Sequence, residues 1–339
     1  MKRFQILSVL PLAALSLLAG CGPKQTAETP PSTAPAAAPA PASGDFKVAL
    51  LTTGPVTDGG WNQSAYDGLL KIQKDLGAQV DKQESLNNSQ FEDAFRDFAN
   101  RGYNVIFAHG DEFGPAAEKV AKQYPKTIFV TTGGTASAAN LAPIHFATEE
   151  GTYLQGMEAA FVSKSGKGGF IGGQNLPPVK MAADAFANGA KSVNPKFNFQ
   201  TTYINGWTDP VAAKAQTEAL LSSGADVIAH NCDAAAKGMF DTAGPKPGVY
   251  TFGVNADENP KAANVLSSAV LDVPKAFADI AADVKAGKFQ GHPISLGLKE
   301  GDVTLVDNPK LANVLTADQK AKVAAAAKDI ADGKIKVAP

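Results

Sequence analysis

Cysteine is nearly missing from this chain, and so are the charge surplus and the long apolar runs that would fix its class at once. Only Cys21 and Cys232 occur among 339 residues, too few for a disulfide framework or a cysteine-rich metal site. The four histidines, His109, His145, His230 and His292, contain no His-x-x-x-His pair, so no metal ligand set is expected. Thirty-one basic residues meet 33 acidic ones, a net charge of −2; with no basic stripe, nucleic acid is not an expected partner. Enzyme signatures are absent too. The chain has no Gly-x-Ser-x-Gly elbow, no Gly-x-x-x-x-Gly-Lys-Ser/Thr loop and no His-Glu-x-x-His. Gly168-Gly-Phe-Ile-Gly-Gly173 lacks a preceding strand and reads as a glycine-flanked strand, not a dinucleotide fingerprint. No cofactor and no catalysis are expected.

The amino terminus is a targeting segment. Lys2 and Arg3 precede an apolar run from Phe4 to Leu18, which meets Leu18-Ala-Gly-Cys21. That is a lipoprotein signal over residues 1–20, with Cys21 as the lipidated first residue of the mature chain. The run is short for a membrane span, and nothing later is longer. Residues 21–45 are then a tether rich in Ala, Pro, Thr and Ser. At about 3.1 Å per residue it reaches on the order of 70 Å. The expectation is a folded body in the cell envelope, held at the membrane face by lipid.

From residue 46 on, short β-branched or aromatic runs alternate with helical patterns. Strands are expected at 46–51, 78–83, 104–108, 127–132 and 144–148, and again at 169–172, 199–204, 226–230, 249–254 and 265–270. Helices fill the spaces, closing with one over 317–330. Such alternation predicts parallel sheets covered by helices. Gly102-Tyr-Asn-Val-Ile-Phe-Ala-His109 resembles Gly224-Ala-Asp-Val-Ile-Ala-His230. The first strand and the strand near Phe170 repeat at the same distance. Two similar lobes are expected, 46–148 plus 255–284 and 149–254 plus 285–339, with a ligand cleft between the carboxyl ends of their strands. Chance likeness between βα units is the alternative.

Both tryptophans fall in strand-to-helix turns, Trp61 in Asp58-Gly-Gly-Trp-Asn62 and Trp207 in Gly206-Trp-Thr-Asp-Pro210. Core-filling indoles belong inside strands or helices; two in turns of the same kind, one in each lobe, can sandwich a flat ligand, each face contributing about 1–3 kcal/mol. Asp58, Asn62, Asn231 and Asn255, in strand-end turns, supply hydrogen bonds around its edge. The blander alternative has Asn62 cap the helix and Trp61 close the core. Asp257, after the strand ending at Val254, is a further candidate, with a surface turn as the alternative. Glu149 and Glu150, adjacent at a helix start, are expected to serve the helix dipole.

At these residues the chain resembles the basic membrane protein family, the lipoprotein substrate-binding components of ABC importers for purine nucleosides. The likeness continues through Glu150-Gly-Thr-Tyr-Leu-Gln-Gly156, Pro177-Pro-Val-Lys180, Val265-Leu-Ser-Ser268 and Gly297-Leu-Lys-Glu-Gly301. It implies a type I periplasmic-binding-protein fold, two Rossmann-like lobes joined by three hinge crossovers. It also implies base stacking on Trp61 and Trp207, edge recognition by Asp58 and Asn62, and permease subunits as partners. Nucleoside binders of the family commonly carry Asp and Lys where this chain has Asn255 and Leu271. That departure points to a free purine-like base; the alternative has Asp257 or Asp111 hold a ribose. A monomeric solute receptor is therefore expected, with a ligand-sensing lipoprotein reporting to a membrane receptor or kinase as the alternative function.

Overall fold

The computed structural model describes residues 46–337; the signal at 1–20, Cys21 and the tether to 45 lie outside the described residues. In chain order the first half runs β1 (Lys47–Thr52), α1 (Trp61–Leu76), β2 (Gln79–Gln83), α2 (Phe91–Asn100), β3 (Val105–His109), α3 (Gly114–Ala121), β4 (Ile128–Thr132) and β5 (Leu141–Phe146). The second half runs α4 (Thr148–Val162), β6 (Lys167–Gly172), α5 (Pro177–Val193), β7 (Asn198–Tyr203), α6 (Pro210–Ser222), β8 (Val227–Asn231), α7 (Ala236–Ala243), β9 (Tyr250–Asn255) and β10 (Val265–Leu271). Four elements close the chain: α8 (Val273–Lys285), β11 (Ile294–Leu296), β12 (Val303–Asp307) and α9 (Ala317–Ala331).

These strands form two six-stranded sheets, ordered β11-β5-β4-β3-β1-β2 and β12-β10-β9-β8-β6-β7. The first is parallel throughout, and the second is parallel except where β12 runs against β10. The fold is α/β, two Rossmann-like lobes of the type I periplasmic-binding-protein kind.

Each sheet is apolar on both sides because helices cover both. Along β1, Val48 and Leu50 face Ala65, Leu69 and Ile72 of α1 and Phe277 of α8. Their neighbours Ala49 and Leu51 face Phe91, Phe95 and Phe98 of α2, the period-two alternation of a strand buried from both sides. In the second lobe, Phe170 packs with Ala182 and Phe186 of α5. Ile171 turns the other way, onto Ala213 and Leu220 of α6. Helices α4 and α5 cross at glycine contacts: a Cβ on Gly156 would overlap the Phe186 carbonyl, and one on Gly189 the Tyr153 carbonyl.

The lobe boundaries fall elsewhere than the pattern suggested. The crossover expected at residue 255 comes after Leu271, because β10 is an interior strand of the second sheet, between β9 and β12. The one expected at 285 comes after Leu296, because β11 pairs with β5 at the edge of the first sheet. Strands β11 and β12 escape the sequence pattern: the first has three residues, and both are largely half-buried or exposed. The chain thus passes between sheets three times, near 147, 272 and 297–302. These passages are tied side by side. The Leu298 N–H donates to Glu150 Oε2 at 2.7 Å, the Ala147 N–H to the Leu296 carbonyl at 2.8 Å, and the Asp272 N–H to the Asp302 carbonyl at 2.8 Å.

Candidate functional site

The carboxyl ends of both sheets open on one cavity of about 280 Å³. From the first lobe it takes the β1 turn and the start of α1, the turns after β3 and β4, and the end of β5. From the second it takes the turns after β6, β7 and β8, and the last residue of β9.

Trp61 opens α1, which would otherwise begin with unpaired N–H groups. The Asp58 carboxylate fills that role, accepting the N–H of Gly60 (2.9 Å), Asn62 (2.9 Å) and Gln63 (3.0 Å). It also accepts from Asn62 Nδ2 at 2.8 Å. Asp58 lines the cavity, yet all four of these bonds hold the helix start in place. A carboxylate only accepts, so the Asn62 amide must turn its nitrogen toward Asp58. Its Oδ1 is left buried without a partner.

Behind Trp61 lies His109, the last residue of β3, with ring centroids 3.8 Å apart and planes 26° apart. His109 is fully buried, and Nε2 donates to the Trp61 carbonyl at 3.1 Å. Burial pushes the imidazole down to about 3, so it is neutral, with Nδ1 bare. A rigid imidazole therefore backs one face of Trp61.

Trp207 has a different support. A Cβ on Gly173 would overlap its ring, so the indole lies directly on that backbone. The Gly206 N–H donates to the Gly173 carbonyl at 3.1 Å and the Ala235 N–H to the Trp207 carbonyl at 2.9 Å. Asp209 caps α6, accepting from the Val211 N–H at 2.9 Å and the Ala212 N–H at 3.1 Å. Both indoles are half-buried and both line the cavity.

Of the other expected residues, Asn62, Asp111, Asn231 and Asn255 also line the cavity. Asp257 does not: it is exposed, and its Oδ1 accepts the Asn259 N–H at 3.0 Å, the surface-turn alternative. Its strand ends at Asn255, so two residues further on the chain has left the mouth. Leu271 is buried in the first-lobe core at 3 % exposure and likewise lines nothing.

Several lining residues carried no sequence signal. Glu112, Thr132, His145 and Asp233 join the wall, and Leu176, Pro178 and Val179 form an apolar ledge in the second lobe. Thr132 Oγ1 is buried without a partner. His145 Nε2 bonds Glu149 Oε1 at 2.8 Å, which raises the imidazole above its ordinary value. Asp233 and Asn255 adopt left-handed backbone (φ 48° and 68°), which Asn and Asp tolerate better than most residues. Burial, with Asp58, Glu258 and Glu112 nearby, pushes Asp233 up to about 8. Burial alone would also raise Glu258, but His230 and Lys261 outweigh it and hold that carboxyl at about 2.

Residues 46–337 match the family model described as "ABC transporter substrate-binding protein PnrA-like". An ABC transporter nucleoside-binding protein, BmpA, of Lactococcus lactis subsp. cremoris is 30% identical over 361 residues, covering 99% of each chain. A purine-binding protein of Brucella abortus is 30% identical over 264 residues, covering 77% of this chain and 75% of its own. Among solved structures, an ABC transporter solute-binding protein of Aeropyrum pernix K1 superposes with a TM-score of 0.78 at 22% identity, over 86% of this chain and 92% of that one.

Proposed function

The chain belongs to the PnrA-like family of ABC transporter substrate-binding proteins, and on that basis we propose that it captures a free purine-like base, or a similar flat heterocycle, between Trp61 and Trp207. One observation carries this: two indoles, one from a strand-end turn of each lobe, line a single small cavity. The relatives from Lactococcus and Brucella are named for nucleoside and purine binding. A base without its sugar fits the volume, which lies just under the roughly 300 Å³ lower end typical of small-molecule sites. Of the groups that would hold a ribose, Asp257 faces solvent, and position 271 does not reach the cavity.

Capture is by hinge closure about the three crossovers, stacking the ligand and bringing Asn62, Asn231 and Asn255 to its edge. The protein catalyses nothing; it hands its ligand to the permease subunits of the importer, whose ATPase supplies the energy. Lipid on Cys21 anchors it to the envelope membrane, and it works as a monomer. Isothermal titration with adenine, guanine, hypoxanthine, xanthine and their nucleosides tests the ligand class. Tighter binding of the free bases is expected; tighter binding of the nucleosides would overturn the free-base assignment.

A further inference from the structure

We infer that this cavity takes its flat ligand as a cation, in preference to neutral or anionic heterocycles of the same shape; the inference rests on the two-tryptophan reading above. Four carboxylates reach the wall, Asp58, Asp111, Glu112 and Asp233, and no lysine or arginine does. The nearest thing to a cation there, His145, is already engaged by Glu149 at 2.8 Å. Among the described residues none of the four carboxylates makes an ion pair, although exposed ion pairs are abundant elsewhere on the chain. Asp58 is satisfied by four N–H donors. The others are not: Asp233 has one long contact, 3.5 Å from Asn255 Nδ2.

Uncompensated carboxylates in a partly desolvated site are costly unless something positive arrives or, as at Asp233, a proton stays on. The second sign of a missing ligand is independent of charge. Asn62 and Thr132, at 5 % and 3 % exposure, line the cavity with Oδ1 and Oγ1 unpartnered. Asn62 Oδ1 can only accept, so the ligand brings a donor to it. A metal ion does not fit, since no three acidic or histidine side chains converge among the described residues. Two indole faces beside carboxylates instead suit an aromatic cation, held by ring quadrupoles as well as by charge.

The local field already shows in Asp233. Asp58 from the β1 turn, Glu112 from the β3 turn and Glu258 after β9 face it, with Cys232 adjacent and His230 and Lys261 pairing with Glu258. Burial, reinforced by the negative charge of Asp58, Glu258 and Glu112, keeps its proton on up to about pH 8. A bound cation reverses that balance, and the proton leaves to the buffer.

The test compares 7,9-dimethyladeninium, a fixed cation, with neutral 9-methyladenine on the full chain at pH 7, titrated in buffers of different ionisation heat. The cation is expected to bind at least tenfold tighter and to release a fraction of a proton per site. Asp233→Asn, which tolerates the left-handed backbone, is expected to abolish the proton release and shrink the preference; Asp111→Asn, at a partner-free carboxylate, is expected to shrink it as well. Equal or tighter binding of 9-methyladenine overturns the cation inference and leaves the heterocycle reading standing. Failure of both compounds to bind overturns both.

Discussion

The two lobes share a strand order and place a tryptophan in the same kind of turn, yet they brace it by opposite means. In the first, Trp61 is the opening residue of a helix whose start is pinned by Asp58, and its ring lies on a buried, neutral histidine. In the second, Trp207 sits before the helix and lies on bare backbone at Gly173. The histidine at the corresponding strand end, His230, is diverted to a buried carboxylate, Glu258, at 2.7 Å. A duplicated frame thus carries its two indoles after non-corresponding strands, β1 in the first sheet and β7, the counterpart of β2, in the second, and the supporting chemistry differs with them. What backs each ring follows from which small or flat group the adjacent strand end offers.

The largest test of that comparison removes both rings. Trp61→Ala with Trp207→Ala forfeits two stacked faces, about 2–6 kcal/mol together, and is expected to weaken a bound heterocycle by roughly 30-fold or far more by titration calorimetry. Each single variant is expected to lose about 1–3 kcal/mol; a negligible loss from either would show that only one indole meets the ligand. Gly173→Val next strikes the second brace alone. Its side chain occupies the place of the Trp207 ring, so the affinity lost should match that of Trp207→Ala and should not add to it in a double-mutant cycle. Full additivity there would mean the glycine matters for some other reason.

Asp58→Ala strikes the first brace. It frees three N–H groups at the start of α1 and is expected to cost about 1–2 kcal/mol of stability, read as a lower urea midpoint at unchanged slope. Smallest and most discriminating is pH. Buried His109 stays neutral down to about 3 while the unfolded chain protonates its histidine near 6.5, so stability falls as pH drops through that window. Glu158 in the second lobe behaves inversely. Desolvation raises it to about 8 from 4.5, the folded state holds the extra proton between those values, and stability falls as pH rises through them. Denaturant titrations across pH should therefore flatten below the optimum in His109→Phe and above it in Glu158→Gln. If neither variant changes its own limb, these two groups do not set the profile.

Much of this was legible in the chain. Strand-forming runs ending in Gly, Asn and Asp, followed by helix starts such as Asp209-Pro210, mark the βα turns, and the turns located the cavity. Asp58 was visible as a polar residue there, but only geometry reveals that the helix start occupies its oxygens. Glu112, Thr132, His145 and Asp233 could not be chosen in advance, since they meet only when strands far apart in sequence become neighbours. Asp257 failed by two residues, the distance from a strand's mouth to open solvent. The crossover at 272 leaves no compositional mark, because β10 is as apolar as the interior strands of the first sheet, and the one at 297–302 joins two short or half-exposed edge strands with no strong pattern.

Those crossovers also dictate the order in which the molecule can be completed. Helix α8 and strand β11 belong to the first lobe, yet they are synthesised only after β6 to β10 of the second. An emerging chain therefore cannot finish its leading half before most of its trailing half exists. Neither lobe is a contiguous stretch of the chain, and a fragment ending anywhere from 148 to 270 lacks the first sheet's edge strand and the helix over α1. Assembly must wait for contacts spanning some two hundred positions, which makes it slow and leaves an open apolar sheet for chaperones to shield meanwhile.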